Sequence, residues 1–188
     1  LKTKLEKPEW MPDAGPSSWS ESVARSGGTV IGARPFLIAW NINLNTRNKR
    51  LAMKIAAELR ERGKLKRAAD RSVLRDAAGN ALRVPGRFAE LKGVGWFIEE
   101  YDRAQLSFNL TNHEVTSLAA VCDAAVEVAA AEGIRVTGSE LVGLVPREAL
   151  LAAGRHYLEK QGASQGCPER QIMATAVQSL GLEELGPF

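Results

Sequence analysis

Asn41, Asn43, Gln105, Ser107 and Asn109 recur at every second position in two short stretches of this chain. Amides and a hydroxyl at that spacing offer a polar ligand both donors and acceptors without bringing net charge. Period two places them on one face of an extended segment. In GARPFLIAWNINL, the apolar Phe36, Ile38, Trp40, Ile42 and Leu44 lie opposite Leu37, Ala39, Asn41 and Asn43. In AQLSFNLT, Leu106, Phe108 and Leu110 lie opposite Gln105, Ser107, Asn109 and Thr111. A core-facing strand has little use for two amides on one face, because a buried amide without partners costs free energy. Asn is also depleted in strands, and solvated sheet faces favour other polar residues. Three readings stand: a solvated face, a ligand floor, or a contact with a partner domain. On the ligand-floor reading, Asn43→Leu and Asn109→Leu leave folding largely intact.

A second candidate is the loop PDAGPSSWSESVARSGGT, residues Pro12 to Thr29. Its Ser hydroxyls and Gly amides, with Arg25 nearby, could wrap a carboxylate or a heteroaromatic ring through main-chain donors. The alternative is a flexible linker. Trp10 and Trp19 favour docking, because a pure linker rarely needs tryptophan.

The remaining reactive groups do not assemble into a catalytic set. His113 and His156 have no Cys, Asp or second His at ligand spacing, which argues against a metal site. Nucleophile-elbow, phosphate-loop and dinucleotide fingerprints are missing from any strand-to-helix context. The two glycines of KGVGW (Lys92 to Trp96) lead into a strand and signal a bulge or a close backbone approach. Glu99 and Glu100 are adjacent and face opposite sides of an extended segment. Asp123 and Glu127, one helical turn apart, read as a solvated face. Cys122 sits in an apolar helical pattern as a small core residue, and Cys167 has no metal or redox spacing.

The elements that must carry these residues are legible from periodicity. A strand spans Pro35 to Leu44. A helix capped by Asn45 or Thr46 runs to Arg62, with Gly63 as its stop and Leu51, Ile55 and Leu59 as its buried stripe. Strands at Gly95–Asp102 and Gln105–Thr111 join at Asp102 and Arg103. A helix runs from Asn112 to Glu132 with the stripe Val115, Leu118, Cys122 and Val126. A strand at Ile134–Val142 and helices at Arg147–Lys160 and from Pro168 to Leu180 complete the chain. The order is the α+β, ferredoxin-like βαββαβ unit with extra C-terminal helices. In that topology the first and third strands are central neighbours. Residues 1–32, rich in Pro, Ser and Gly, form an extended N-terminal arm, and 33–188 form the main domain. Within it, the charged stretch 64–90 reads as an exposed insertion, hairpin-like and mobile.

With 188 residues, 45% hydrophobic and 25% charged, the composition is that of an ordinary globular domain. The net charge of +3 comes from interspersed Lys, Arg, Asp and Glu, which is no nucleic-acid signature but mildly favours anionic small molecules. No apolar run approaches the ~20 residues of a membrane span, and no signal-peptide pattern opens the chain. A reducing cytoplasm is the expected compartment. The start, LKTKLEKPEWMPDAG, has no initiator Met and reads as the middle of something, a fragment or a separated subunit.

Six runs carry a resemblance: WMPDAGPSS (Trp10–Ser18), GARPFLIAWNINL (Gly32–Leu44), GWFIEEY (Gly95–Tyr101), AQLSFNLTNHEVT (Ala104–Thr116), RVTGSELVGLVPREALL (Arg135–Leu151) and SLGLEELGPF (Ser179–Phe188). Together they resemble the C-terminal subdomain of glutamate formimidoyltransferase, the transferase part of formimidoyltransferase-cyclodeaminase, over nearly the whole chain. The resemblance implies transfer of a formimidoyl group from N-formimidoyl-L-glutamate to tetrahydrofolate, in histidine degradation. It implies two similar ferredoxin-like subdomains with the ligand between their sheet faces, and a multimeric enzyme. The family's folate loop maps onto Gly15, Pro16, Ser17 and Ser18 and on towards Gly27 and Gly28. The family's catalytic histidine belongs to the preceding subdomain, so neither His113 nor His156 inherits it. The chain alone is then expected to bind folate without turnover. The alternative is a non-catalytic binding or dimerisation module on the same scaffold.

Overall fold

The computed structural model describes residues 1–188 as two compact units, Leu1–Pro35 and Phe36–Phe188. The first contains two short helices, α1 (Lys2–Leu5) and α2 (Glu21–Ser26), and a single 3-10 turn at Pro8–Trp10. Ser20 caps α2 by accepting the Val23 amide at 3.2 Å, and Gly27 ends it at φ +70°.

The second unit runs β1 (Ile38–Leu44), α3 (Lys49–Leu59), β2 (Lys64–Leu65), β3 (Arg83–Val84), β4 (Leu91–Ile98), β5 (Arg103–Leu110), α4 (Leu118–Ala131), β6 (Val136–Val142), α5 (Arg147–Lys160) and α6 (Glu169–Leu180). It is an α+β arrangement around one antiparallel sheet of order β4-β5-β1-β6. β1 and β5 are therefore central and adjacent, as the element order predicts. β2 and β3 pair separately, and bridges Arg67–Val73 and Arg75–Ala81 extend them into an ordered hairpin structure for the 64–90 insertion. At its far end, Phe88 packs against the main core.

One face of the sheet is dry. Ile38, Trp40, Ile42 and Leu44 from β1 and Ala104, Leu106, Phe108 and Leu110 from β5 are almost completely buried. They meet Ala52, Ile55, Ala56 and Leu59 of α3 and Leu118, Val121, Cys122, Ala125 and Val128 of α4. α5 and α6 pack on one another and contribute Leu150, Ala153, Tyr157, Ala176, Val177 and Leu180 to the same core. Burying such side chains is the main favourable term in the fold, each worth about 1.5–3 kcal/mol. Gly95 makes the layer thin. A Cβ there would lie 2.0 Å from the Met53 amide nitrogen, so the glycine lets α3 settle directly onto β4. This is the close approach that KGVGW signals.

Several boundaries differ from expectation, each for a local reason. Pro35 to Leu37 precede β1, and Phe36 is 55% exposed. The cap of α3 is Asn48, whose Oδ1 accepts the amides of Arg50 and Leu51. Asn45 instead accepts the Arg135 amide at 2.6 Å, tying the end of β1 to the entrance of β6. α3 ends at Leu59, and Gly63 closes the turn beyond it by donating its amide to Arg60. β4 begins earlier, at Leu91, and the β4–β5 turn is Glu99–Asp102, with Asp102 at φ +50°. α4 starts at Leu118 under a Ser117 cap, which leaves Val115 in the preceding loop and 60% exposed. Val126 is 49% exposed as well. The stripe of α4 is instead Leu118, Val121, Cys122, Ala125 and Val128. Alanines on every side of this helix blur its apolar phase.

Candidate functional site

The opposite face of the sheet carries no helix of this unit, and its side chains fall into three cross-strand rows. The first is Gly138, Asn43, Gln105 and Trp96; the second Glu140, Asn41, Ser107 and Val94; the third Val142, Ala39, Asn109 and Lys92. Directly opposed residues in such rows lie within side-chain contact. All five polar residues picked out by alternation therefore share one surface, directed away from α3 and α4.

Their environments differ sharply along it. Asn43 and Gln105 are completely buried, Asn41 is 7% exposed, Ser107 is half-buried and Asn109 is exposed. Each of the buried amides hydrogen-bonds to protein groups. Trp96 Nε1 donates to Gln105 Oε1 at 2.9 Å. Gln105 Nε2 donates to Asn43 Oδ1 at 2.7 Å and to Glu140 Oε1 at 3.0 Å. Asn43 Nδ2 donates to Glu184 Oε2 at 2.6 Å, and Asn41 Nδ2 donates to Glu140 Oε1 at 3.0 Å. Arg103 pairs with the other oxygen of Glu184 and reaches Thr137 Oγ1 at 3.3 Å. Satisfied networks of this kind fix side-chain positions, because each broken link strands a buried polar group.

Asn43 is thus a support and not an exposed donor. Replacing it with Leu takes one buried hydrogen-bond partner from each of Gln105 and Glu184, so Asn43→Leu is expected to cost stability where the sequence alone suggested it would leave folding intact. Asn109, exposed and making no side-chain hydrogen bond, still meets that expectation.

Two carboxylates shape the site, and neither belongs to the polar residues read from the sequence. Glu184 arrives from the turn after α6 and crosses the edge strand at Gly138, where a Cβ would come within 2.5 Å of its Oε2. Glycine is therefore what admits it. Glu140 stands in β6 directly beside Asn41. Its charge, with that of Glu100, holds the Tyr101 phenol above its ordinary value. Glu140 was readable from alternation: with Ile134–Val142 as a strand next to β1, Gly138 and Glu140 are in phase with one another. Glu184 and Trp96 had no comparable signal. Near the first row, a cleft of about 300 Å³ opens between Asn45, Thr46, Arg47, Asp102, Arg103 and Glu184. Arg47 and Asp102 form an ion pair of 2.6 Å at its mouth.

Gly15, Pro16, Ser17, Ser18, Gly27 and Gly28 are all exposed and belong to the Leu1–Pro35 unit, where Gly15 takes φ +93°. Trp10 and Trp19 are 49% and 41% exposed, with Lys4 Nζ 3.8 Å above the Trp10 ring. His156 lies on the helical side of the body, where Nε2 is 2.9 Å from Asp123 Oδ2. Asp123 also pairs with Lys160 at 2.9 Å, and Glu127 with Arg87 at 3.0 Å. His113 lies half-buried in the loop before α4. Cys122 is buried, which pushes its thiol pKa up and leaves it a poor nucleophile.

The chain is 43% identical over all 188 residues to the formimidoyltransferase-cyclodeaminases of Gallus gallus and Rattus norvegicus, spanning 31% of each. It is 32% identical over 166 residues, 88% of its length, to the glutamate formimidoyltransferase of Thermoplasma acidophilum, spanning 46% of that protein. The chain thus spans less than half the length of these relatives. The model of the Formiminotransferase domain matches residues 39–188, the body that holds the sheet and both of its faces. By that match this chain belongs to the Formiminotransferase domain family.

Proposed function

We propose that this chain is the folate-binding half of a glutamate formimidoyltransferase, which moves a formimidoyl group from N-formimidoyl-L-glutamate to tetrahydrofolate in cytoplasmic histidine degradation. The observation that carries the proposal is the 43% identity over the whole chain to proteins named as formimidoyltransferases. The strand order β4-β5-β1-β6 supports a ferredoxin-like description of the body, with 1–32 as arm and folate loop and 33–188 as the C-terminal subdomain. The bare amide-bearing sheet face supports a ligand held between it and a second, N-terminal subdomain.

The proposed binding residues are Asn41, Asn43, Gln105, Ser107 and Asn109 on the floor and Gly15, Pro16, Ser17, Ser18, Gly27 and Gly28 in the loop. Asn43 and Gln105 act through the residues they hold. This half orients the acceptor, and orientation accounts for a large part of many barrier reductions. The proton-transfer group is assigned to the N-terminal subdomain, since a general acid or base must lie within hydrogen-bond reach of the transferred group. Half-exposed Val94, Trp96 and Val142 on the same face favour a second reading, a lobe that docks another protein surface without catalysis.

Mixing the chain with the family's N-terminal subdomain should yield formimidoyl transfer to tetrahydrofolate that neither half gives alone. In the chain itself, 5-formyltetrahydrofolate at ~100 times Kd should add about 2.7 kcal/mol of stability. Complex formation without transfer, and without protection by folate, would favour the docking lobe.

A further inference from the structure

The two carboxylates of the open face differ in what they have left to offer. Both oxygens of Glu184 are taken, one by Asn43 and the other by Arg103. Glu140 has both its amide donors on a single oxygen: Asn41 Nδ2 and Gln105 Nε2 each reach Oε1 at 3.0 Å. Its Oε2 accepts nothing from the chain, and none of the eight ion pairs includes it. Gln105 is itself locked by Trp96 and Asn43 and fully buried, so the carboxylate is pinned from below. A half-buried carboxylate held by neutral amides, with one oxygen free in the row that Asn41 and Ser107 continue, is prepared for a donor it does not find within the chain.

We infer that Glu140 is the specificity residue of the floor, and that its carboxylate binds a ligand edge with adjacent N–H donors of the amidine type. This rests on the reading of the chain as a formimidoyltransferase half. Two molecules in that reaction present such an edge: the pterin ring of the folate, through its ring N–H and 2-amino group, and the formimidoyl group itself. Asn41 and Gln105 are positioning residues for Glu140, whose carboxylate plane their amides fix.

The test is a chemical-shift titration of the chain and of its Glu140→Gln variant with two probes. 5-Formyltetrahydrofolate carries the pterin edge and no formimidoyl group; N-formimidoyl-L-glutamate carries the formimidoyl group and no pterin. The side-chain amide of the variant still accepts from Asn41 and Gln105 but turns an N–H₂ toward the ligand, so the fold is kept while donor faces donor. A thermal melt of both proteins checks this. Affinity should fall about ten-fold or more for the probe whose edge sits on Glu140, and the arm that falls names the source. A folate analogue with methyl in place of the 2-amino group should be indifferent to the substitution if the pterin is that source. Unchanged affinity for both probes in a folded variant would overturn the assignment and leave the formimidoyltransferase reading standing. If the wild-type chain binds neither probe, that reading falls and the assignment with it.

Discussion

The two faces of the sheet are built from the same strands, often from consecutive residues, yet different physics holds them. On the helical face, Trp40 and its neighbours are placed by volume and dryness. The Trp40 indole nitrogen does not even find an acceptor there. On the open face, Asn41, Asn43 and Gln105 are placed by direction, since every donor must meet an acceptor. Apolar packing tolerates reshuffling of similar volumes, whereas a buried amide network admits few alternatives. Damage to the first face should therefore appear as lost stability. Damage to the second should appear as lost recognition, with a stability cost graded by burial.

The largest expected effect tests the dry face. Trp40→Ala should cost about 3–5 kcal/mol in urea unfolding, and Leu118→Ala about 2–5 kcal/mol. Neither should alter ligand choice in whatever folded fraction remains. A loss below about 1 kcal/mol for Trp40→Ala would mean that this face does not carry the core.

An intermediate effect separates two residues of the polar face. Asn43→Leu should cost about 1–3 kcal/mol, because it removes one hydrogen-bond partner from each of Gln105 and Glu184. Asn109→Leu, on an exposed amide, should stay within about 0.5 kcal/mol of wild type. In a reconstituted enzyme both should depress transfer. Equal stabilities for the two variants would dissolve the distinction between supporting and exposed amides.

The smallest effect lies outside the sheet, where α4 meets α5. Burial raises the Asp123 carboxyl, but hydrogen bonds from Lys160 and His156 outweigh it and hold the group below its ordinary 3.8. A carboxylate with a depressed folded pKa adds stability above its unfolded value, and that contribution is lost as pH falls through the lower folded value. Asp123→Asn should therefore cost at most about 1 kcal/mol near neutrality, as expected of a partly exposed ion pair. The deficit should shrink as the pH drops below 3.8. A deficit independent of pH would assign the residue to packing.

How much of this was legible follows from the range of each interaction. The faces of β1 and β5 could be read because alternation is a local property of an extended backbone. α5 and α6 could be bounded because Pro146 and Pro168 stand immediately before their first residues. The phase of α4 could not: with alanine on all sides, only the neighbours decide which side is wet. The site was half legible. The five polar residues came from period two, and Glu140 lay within reach of the same argument. Glu184 did not, because it meets Asn43 across 141 positions of sequence, and no local pattern encodes that distance.

By itself, then, the amino-acid sequence determined which side chains lie on each side of β1 and β5, the order of the main elements, and which family the chain belongs to. Only the tertiary structure decided which of the polar residues are spent. Hydrogen-bond partners are set by strand register and by the turn that brings Glu184 across Gly138. Those long-range placements leave Asn43 and Gln105 as supports and Glu140 with one oxygen to give.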